Sequence, residues 1–273
     1  RPVATANAQF AFITNRIGDA GLLVGIGLAA WWFNSFEWPA LAGDGRLQSI
    51  MARLLVFGFV IAALAKSAQL PFTPWIARAL EGPTPSSAIF YGAVMVHAGV
   101  FLLLRLEPVL LQAPDVMAGL VVAGVATAIY AWLCGLVQTD VKSMLIFATV
   151  FQVALMFICC GLGWFTLAAW HLGLHAAWRA WQFLVAPSWL QWTVAPPAPP
   201  PAWLAHRQWL YTAALQRFWL DRLADVLLAR PTQSLAQDVR GFDERIIDRA
   251  LGEPGRGRSA VRETPLVVAD GLP

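Results

Sequence analysis

Long apolar runs constrain this chain more than any other feature. About six stretches, each near the roughly 17–25 residues a helix needs to cross a hydrocarbon core, follow one another before a polar tail. By run length they are about Ala11–Phe33, Ile50–Leu70, Ser87–Leu106, Val116–Val137, Val141–Leu162 and Phe165–Leu190. Short polar turns separate most of them, so neighbours should pack antiparallel. Where no water can satisfy backbone N–H and C=O groups, helices that bond internally are the natural solution. The expected fold is therefore an all-α polytopic membrane bundle of about six to seven transmembrane helices, one of them broken at Pro71 and Pro74.

Composition agrees. Of 273 residues, 58% are hydrophobic and 13% charged, and the mean hydropathy of +0.60 is not that of an ordinary water-soluble domain. A net charge of +3 in so apolar a chain excludes nucleic acid as a partner and leaves the lipid bilayer. Cys134, Cys159 and Cys160 all fall in apolar runs, where a thiol packs as a small hydrophobe; they form no metal spacing and no disulfide framework. Trp31, Trp32, Trp164, Trp189 and Trp192 stand at run ends, the place for amphipathic rings at a headgroup layer. The chain opens on Arg1 with no methionine and no signal-type segment, which reads as a fragment.

Three regions are expected: a transmembrane bundle over residues 1–192, a Pro-rich linker over 193–204 and a different segment over 205–273. "APPAPPPAW", Ala195–Trp203, cannot form a helix and reads as extended polyproline. In "RFWLDRLADVLLARP" Trp219, Leu220, Leu223, Val226 and Leu227 fall near one helical face. Such a helix could lie at the membrane interface, dock on a partner, or span from about Trp203 to Arg230. The last twenty or so residues read as a polar tail.

Ionisable side chains inside spans are costly and tend to be functional. Lys66 ends the unbroken part of the second run, His97 lies in the third, Lys142 opens the fifth, and His171, His175 and Arg179 occupy the sixth. Of 19 Lys and Arg residues only two are lysines, and both sit in or at apolar segments. Arginine stays charged, whereas a lysine ammonium can be driven toward neutrality by desolvation or a like charge; two cations that must release protons would have to be lysines. His171, His175 and Arg179 step by four and share a helix face, where histidines can pass protons near neutral pH. No carboxylate or thiolate completes a metal set around them, so neither a metal nor a cofactor is expected. Pro71 and Pro74 free backbone carbonyls beside Lys66, which suits an interrupted helix lining water. The plain alternative is a helix end with Lys66 snorkelling outward.

"AKSAQLPFTPWIARALEGPTPSSA", with "AFITNRIGDAGLL" before it and "LVQTDVKSMLIFATVFQVALMF" and "HLGLHAAWRAWQFL" after it, closely resembles the antiporter-like membrane subunits of respiratory complex I and of multisubunit cation/proton antiporters. The resemblance covers most of Ala11–Leu184. It implies a subunit, non-catalytic in itself, that relays protons along a hydrated axis through Lys66, Lys142, His171 and His175, with His97 and Arg179 beside them, in a bacterial inner membrane. The family commonly carries a glutamate partner for Lys66 upstream of this chain, so the acidic partner and the N-terminal half are expected to be missing. Tyr91 stands where complex I subunits often carry histidine, His97 where they carry a small residue, and Arg179 where they carry lysine. No second broken helix follows the sixth run.

These departures, with "RAWQFLVAPS" and "MVHAGVFLLLR", lean toward the DAB-type inorganic carbon accumulation branch, whose partner is a large zinc-containing subunit resembling β-carbonic anhydrase. The alternatives are a subunit L-like part of NADH-quinone oxidoreductase or of an Mrp-type antiporter, and a non-conducting structural scaffold. An enzyme in its own right has little support: there is no Gly-rich nucleotide loop, no iron–sulfur cysteine set and no nucleophile–base arrangement. Redox or carbon chemistry would belong to other subunits of the complex.

Overall fold

The computed structural model describes residues 2–38, 41, 50–81, 83–192, 199–247 and 250. All six apolar runs are helical. Helix α1 (Pro2–Leu28) continues into a π-helical turn, Ala29–Phe33, and begins well before the first apolar run. Helix α2 (Ile50–Lys66) is followed after an interruption by the short α3 (Pro74–Arg78); then come α4 (Ala98–Arg105), α5 (Pro114–Gly135), α6 (Val141–Gly161) and α7 (Phe165–Trp192). Four helical stretches among the described residues, Val3–Phe33, Pro85–Arg105, Pro114–Gly135 and Val141–Gly161, are long and apolar enough to cross a membrane. The 17 residues of α2 lie at the short end of the spanning range, and α7 has the length, 28 residues, but gives part of one face to polar groups.

That face explains how α7 sits. His175 and Arg179 are buried, while Leu167, Trp170, Leu174, Trp178, Trp181 and Leu184 are all about half or more exposed. The polar stripe points inward and the apolar stripe outward, the inverse of a helix on a water-soluble core. Helix α6 is the most buried of the candidate spans and packs against α5 on one side and α7 on another. Its start is set by Asp140, whose side chain accepts a hydrogen bond from the Ser143 amide at 2.7 Å, a helix N-cap. Cys134 and Cys160 are buried and Cys159 half-buried, all as free thiols.

Two interruptions matter. The break in α2 begins earlier than the prolines suggest: the helix ends at Lys66, Ala68 takes a left-handed φ of 50°, and the irregular segment runs to Thr73. Pro74 is not part of the break. It starts α3, where a missing N–H costs nothing. The third run is helical from Pro85 to Arg105 but irregular in its middle, which makes a second break: Thr84–Ser87 leads into a π-helical Ala88–Ala93, Val94 is right-handed but distorted at φ −116° and ψ −67°, and a 3-10 turn, Met95–His97, precedes α4. No proline marks this second break, so periodicity alone gave no sign of it.

The C-terminal region favours one of the readings left open above. Trp203–Arg230 is not one spanning helix: Ala202–Ala205 and α8 (Gln208–Leu215) are short, and Arg217, Phe218 and Trp219 all have positive φ. A helical run then continues through α9 (Leu220–Ala224), a π-turn and α10 (Arg230–Phe242). Phe218 and Leu220 pack on the main core, and Arg78 Nε donates to Asp221 Oδ1 at 3.3 Å. The first part of this region therefore docks on the bundle beside α3. Of the Pro-rich linker, residues 193–198 lie outside the described residues, as does the tail after residue 250.

Close approach of α1 and α2 positions the site. A Cβ added at Gly58 would lie 2.6 Å from the Gly21 carbonyl oxygen, and one at Gly21 would lie 2.7 Å from that of Gly58. Small residues at such a crossing allow backbone contact in lipid. A Gly58→Val substitution must push the helices apart; the expected cost is about 1–3 kcal/mol, read as a lowered thermal midpoint of the detergent-solubilised protein.

Candidate functional site

The site grows from the groups that the two breaks release. At the end of α2 the Ala65 carbonyl is taken by the Trp75 indole N–H, 2.9 Å away, so the first residues of α3 fold back on the end of α2. Gln69 N closes onto the Leu64 carbonyl at 2.9 Å, and Leu70 N donates to Thr127 Oγ1 of α5 at 3.0 Å. Ser67 Oγ reaches across to the Val96 carbonyl at 2.6 Å. This last bond joins the two breaks, placing the residue after Lys66 against the residue before His97.

Lys66 does have an acidic partner within this chain. Its Nζ lies 3.1 Å from Asp19 Oδ1 of α1, and Arg16 pairs with the same carboxylate through Oδ2. Within the chain, then, the acid beside Lys66 is Asp19 and not the upstream glutamate that the resemblance implies. The signal was in the sequence: Asp19 is a carboxylate inside an apolar run, the same criterion that singled out Lys66. The Lys66 and Asp19 side chains are 30% and 23% exposed, so the pair is neither sealed nor fully open.

Beyond the second break, His97, His175 and Arg179 form one buried array. His97 Nε2 lies 3.0 Å from His175 Nδ1, and Arg179 Nε donates to His175 Nε2 at 3.4 Å. The stacking of His171, His175 and Arg179 on one face of α7 is present: the His171 and His175 rings meet edge to face with centroids 6.0 Å apart. His171 Nε2 faces Gln152 Oε1 of α6 at 2.8 Å. Gln152 and Ser67 join the site only through tertiary contact, and neither carries a charge that would have drawn notice in the sequence.

Lys142 lies apart from these groups. Its Nζ donates to the Leu80 carbonyl at 2.6 Å, while the Tyr91 hydroxyl donates to the neighbouring Ala79 carbonyl at 2.7 Å. Both close the carbonyl end of the helical turns that follow the first break, where a cation and a hydroxyl donor are favourable. The stretch from the first break to the end of these turns is thus held at its start by an ion pair on Lys66 and at its end by a hydrogen bond from Lys142. Among the described residues no group of three or more His, Cys, Asp and Glu side chains could hold a metal ion.

A family model described as "NADH:quinone oxidoreductase/Mrp antiporter, TM" matches residues 1–194. NAD(P)H-quinone oxidoreductase subunit 5, chloroplastic, of Nephroselmis olivacea is 41% identical over 198 residues, covering 69% of this chain and 30% of that protein. Its counterpart in Sorghum bicolor is 38% identical over 191 residues, covering 67% and 26%. A solved structure of an Mrp complex from Dietzia sp. DQ12-45-1b superposes with a TM-score of 0.64 at 26% identity, covering 67% of this chain and 21% of that one. The chain spans less than a third of the length of these relatives. Its helices, its interrupted segment around Lys66 and a family match that takes in every span through α7 place it in the NADH:quinone oxidoreductase/Mrp antiporter family of membrane subunits.

Proposed function

We propose that this chain is the proton-conducting part of an antiporter-like, energy-coupling subunit within a multisubunit membrane complex, with Lys66 as its switch. The observation that carries this reading is the Lys66–Asp19 pair at the broken end of α2, joined through Ser67 and Val96 to the buried His97–His175–Arg179 array. The pair is only partly buried, so in this reading it can open and close without unfolding the protein, with Lys66 holding a proton in one state and passing it on in the other. His97, His175, His171 and Lys142 would form the rest of the path, across the second break and along α6 and α7.

The quinone oxidoreductase and Mrp relatives favour a partner set of other subunits of such a complex. None of the relatives named above is an inorganic-carbon protein. The leaning toward a DAB-type complex, with its zinc-containing partner resembling β-carbonic anhydrase, therefore has no support from them. Integral placement in a bilayer stands; the expectation of a bacterial inner membrane gains nothing from the quinone oxidoreductase relatives, which are chloroplastic.

Two substitutions test the switch in the assembled full-length complex, reconstituted in vesicles with a proton-sensitive dye. Lys66→Met should reduce proton translocation at least about tenfold while assembly is kept, and Lys66→Arg should do the same, because a guanidinium keeps the charge and does not release the proton. Full activity in both would point instead to a non-conducting scaffold. Asp19→Asn keeps the side-chain shape and an oxygen for Lys66 but removes the charge; translocation should slow severalfold with the thermal midpoint nearly unchanged.

A further inference from the structure

The hydrogen-bond order in the buried histidine pair has one consistent solution. A guanidinium donates and does not accept. Arg179 Nε–H, pointing at His175 Nε2 from 3.4 Å, therefore requires a lone pair on that nitrogen. A neutral imidazole with its lone pair on Nε2 carries its proton on Nδ1. His175 Nδ1–H must then be the donor to His97 Nε2, 3.0 Å away. His97 in turn carries its own proton on Nδ1, an atom that is fully buried and has no hydrogen-bond partner among the described residues. The three side chains are 3%, 7% and 6% exposed for His97, His175 and Arg179, so bulk water does not blur this order.

We infer that Arg179 is a positioning residue that sets the proton order of the His97–His175 pair, holding His175 Nδ1–H as the donor to His97 Nε2. The inference rests on the proton-conducting reading above. When Arg179 swings aside, a proton delivered by water from the His171 side forms an N–H bond at His175 Nε2. The His175 Nδ1–H bond breaks as its proton joins His97 Nε2, and the His97 Nδ1–H bond breaks as that proton leaves to a water molecule. One proton enters and one leaves, and both rings end neutral with the proton on Nε2. In that state the returning Arg179 N–H would meet an N–H, so the guanidinium disfavours it and favours the starting order; the same hops run equally in reverse, and Arg179 sets the order of the pair rather than a direction of transport. His171 follows the same order: donating through Nε2 to Gln152 Oε1, it keeps its lone pair on Nδ1.

The test combines ring-nitrogen NMR of labelled histidines with proton translocation, both on the assembled full-length complex in lipid vesicles. In the wild-type protein His97 and His175 should both be neutral and protonated on Nδ1. Arg179→Lys, which still donates, should keep that pattern and most of the transport. Arg179→Met should shift the balance between the two proton positions by about tenfold or more, the scale of a lost hydrogen bond to a charged group, and slow transport. A wild-type His175 protonated on Nε2, or Arg179→Met with unchanged spectra, overturns the inference. So does Arg179→Met with altered spectra and wild-type transport, which would leave conduction itself standing. Unimpaired transport in Lys66→Met would instead strike the conducting reading, without touching the histidine order.

Discussion

A helix interrupted within an apolar bundle must find new partners for the backbone groups it releases, because hydrocarbon offers none and each unpaired group costs several kcal/mol. Most of this structure can be understood from how that requirement is met at the break after Lys66. The Ala65 carbonyl goes to Trp75, the Leu70 amide to Thr127, and the carbonyls of Ala79 and Leu80 to Tyr91 and Lys142. Each partner comes from a different place in the fold, namely α3, α5, the π-helical stretch before α4, and α6. The break thus ties the surrounding helices together, and in return they hold it open at a fixed place.

The same logic gives the charged groups their positions. Lys66 occupies the last position of α2, where a cation is favoured by the helix dipole, and close contact of α1 at Gly21 and Gly58 brings Asp19 within reach. Ser67, released from regular helix geometry, is free to bond Val96 at the second break. Two discontinuities in neighbouring spans therefore meet, and the polar groups beside them become one connected set rather than scattered burdens. The C-terminal region adds an external brace, since Arg78 at the end of α3 is held by Asp221 and lies over the Phe10 ring, 4.3 Å from its centroid.

The polar array on α7 illustrates how a spanning helix carries such groups. Its step of four keeps His171, His175 and Arg179 on one face, and its tryptophans and leucines fall on the other. The inward face meets His97 and Gln152 from two different neighbours. The cation at Arg179 faces His175 as a donor, because a guanidinium can only donate.

How much of this was legible beforehand follows from what kind of signal each feature leaves. Apolar run length depends on composition alone, so the helical bundle class, the four helices long and apolar enough to cross a membrane among the described residues, and the polar stripe of α7 could be read from residue order. The two lysines were legible because their rarity and placement are local facts. Asp19 was visible by the same rule and was overlooked. The break's true start at Lys66, and the second break at Val94, were not legible: the first depends on a left-handed Ala68 and the second on a proline-free segment, both sustained by contacts distant in sequence. A spanning helix after Trp203 was a fair reading of composition that three residues of positive φ rule out. Residue order by itself determined that this chain needs a membrane and which side chains are costly there. Only tertiary structure decided which of them meet, because a pairing such as Lys66 with Asp19 or His97 with His175 is set by helix packing and not by spacing along the chain.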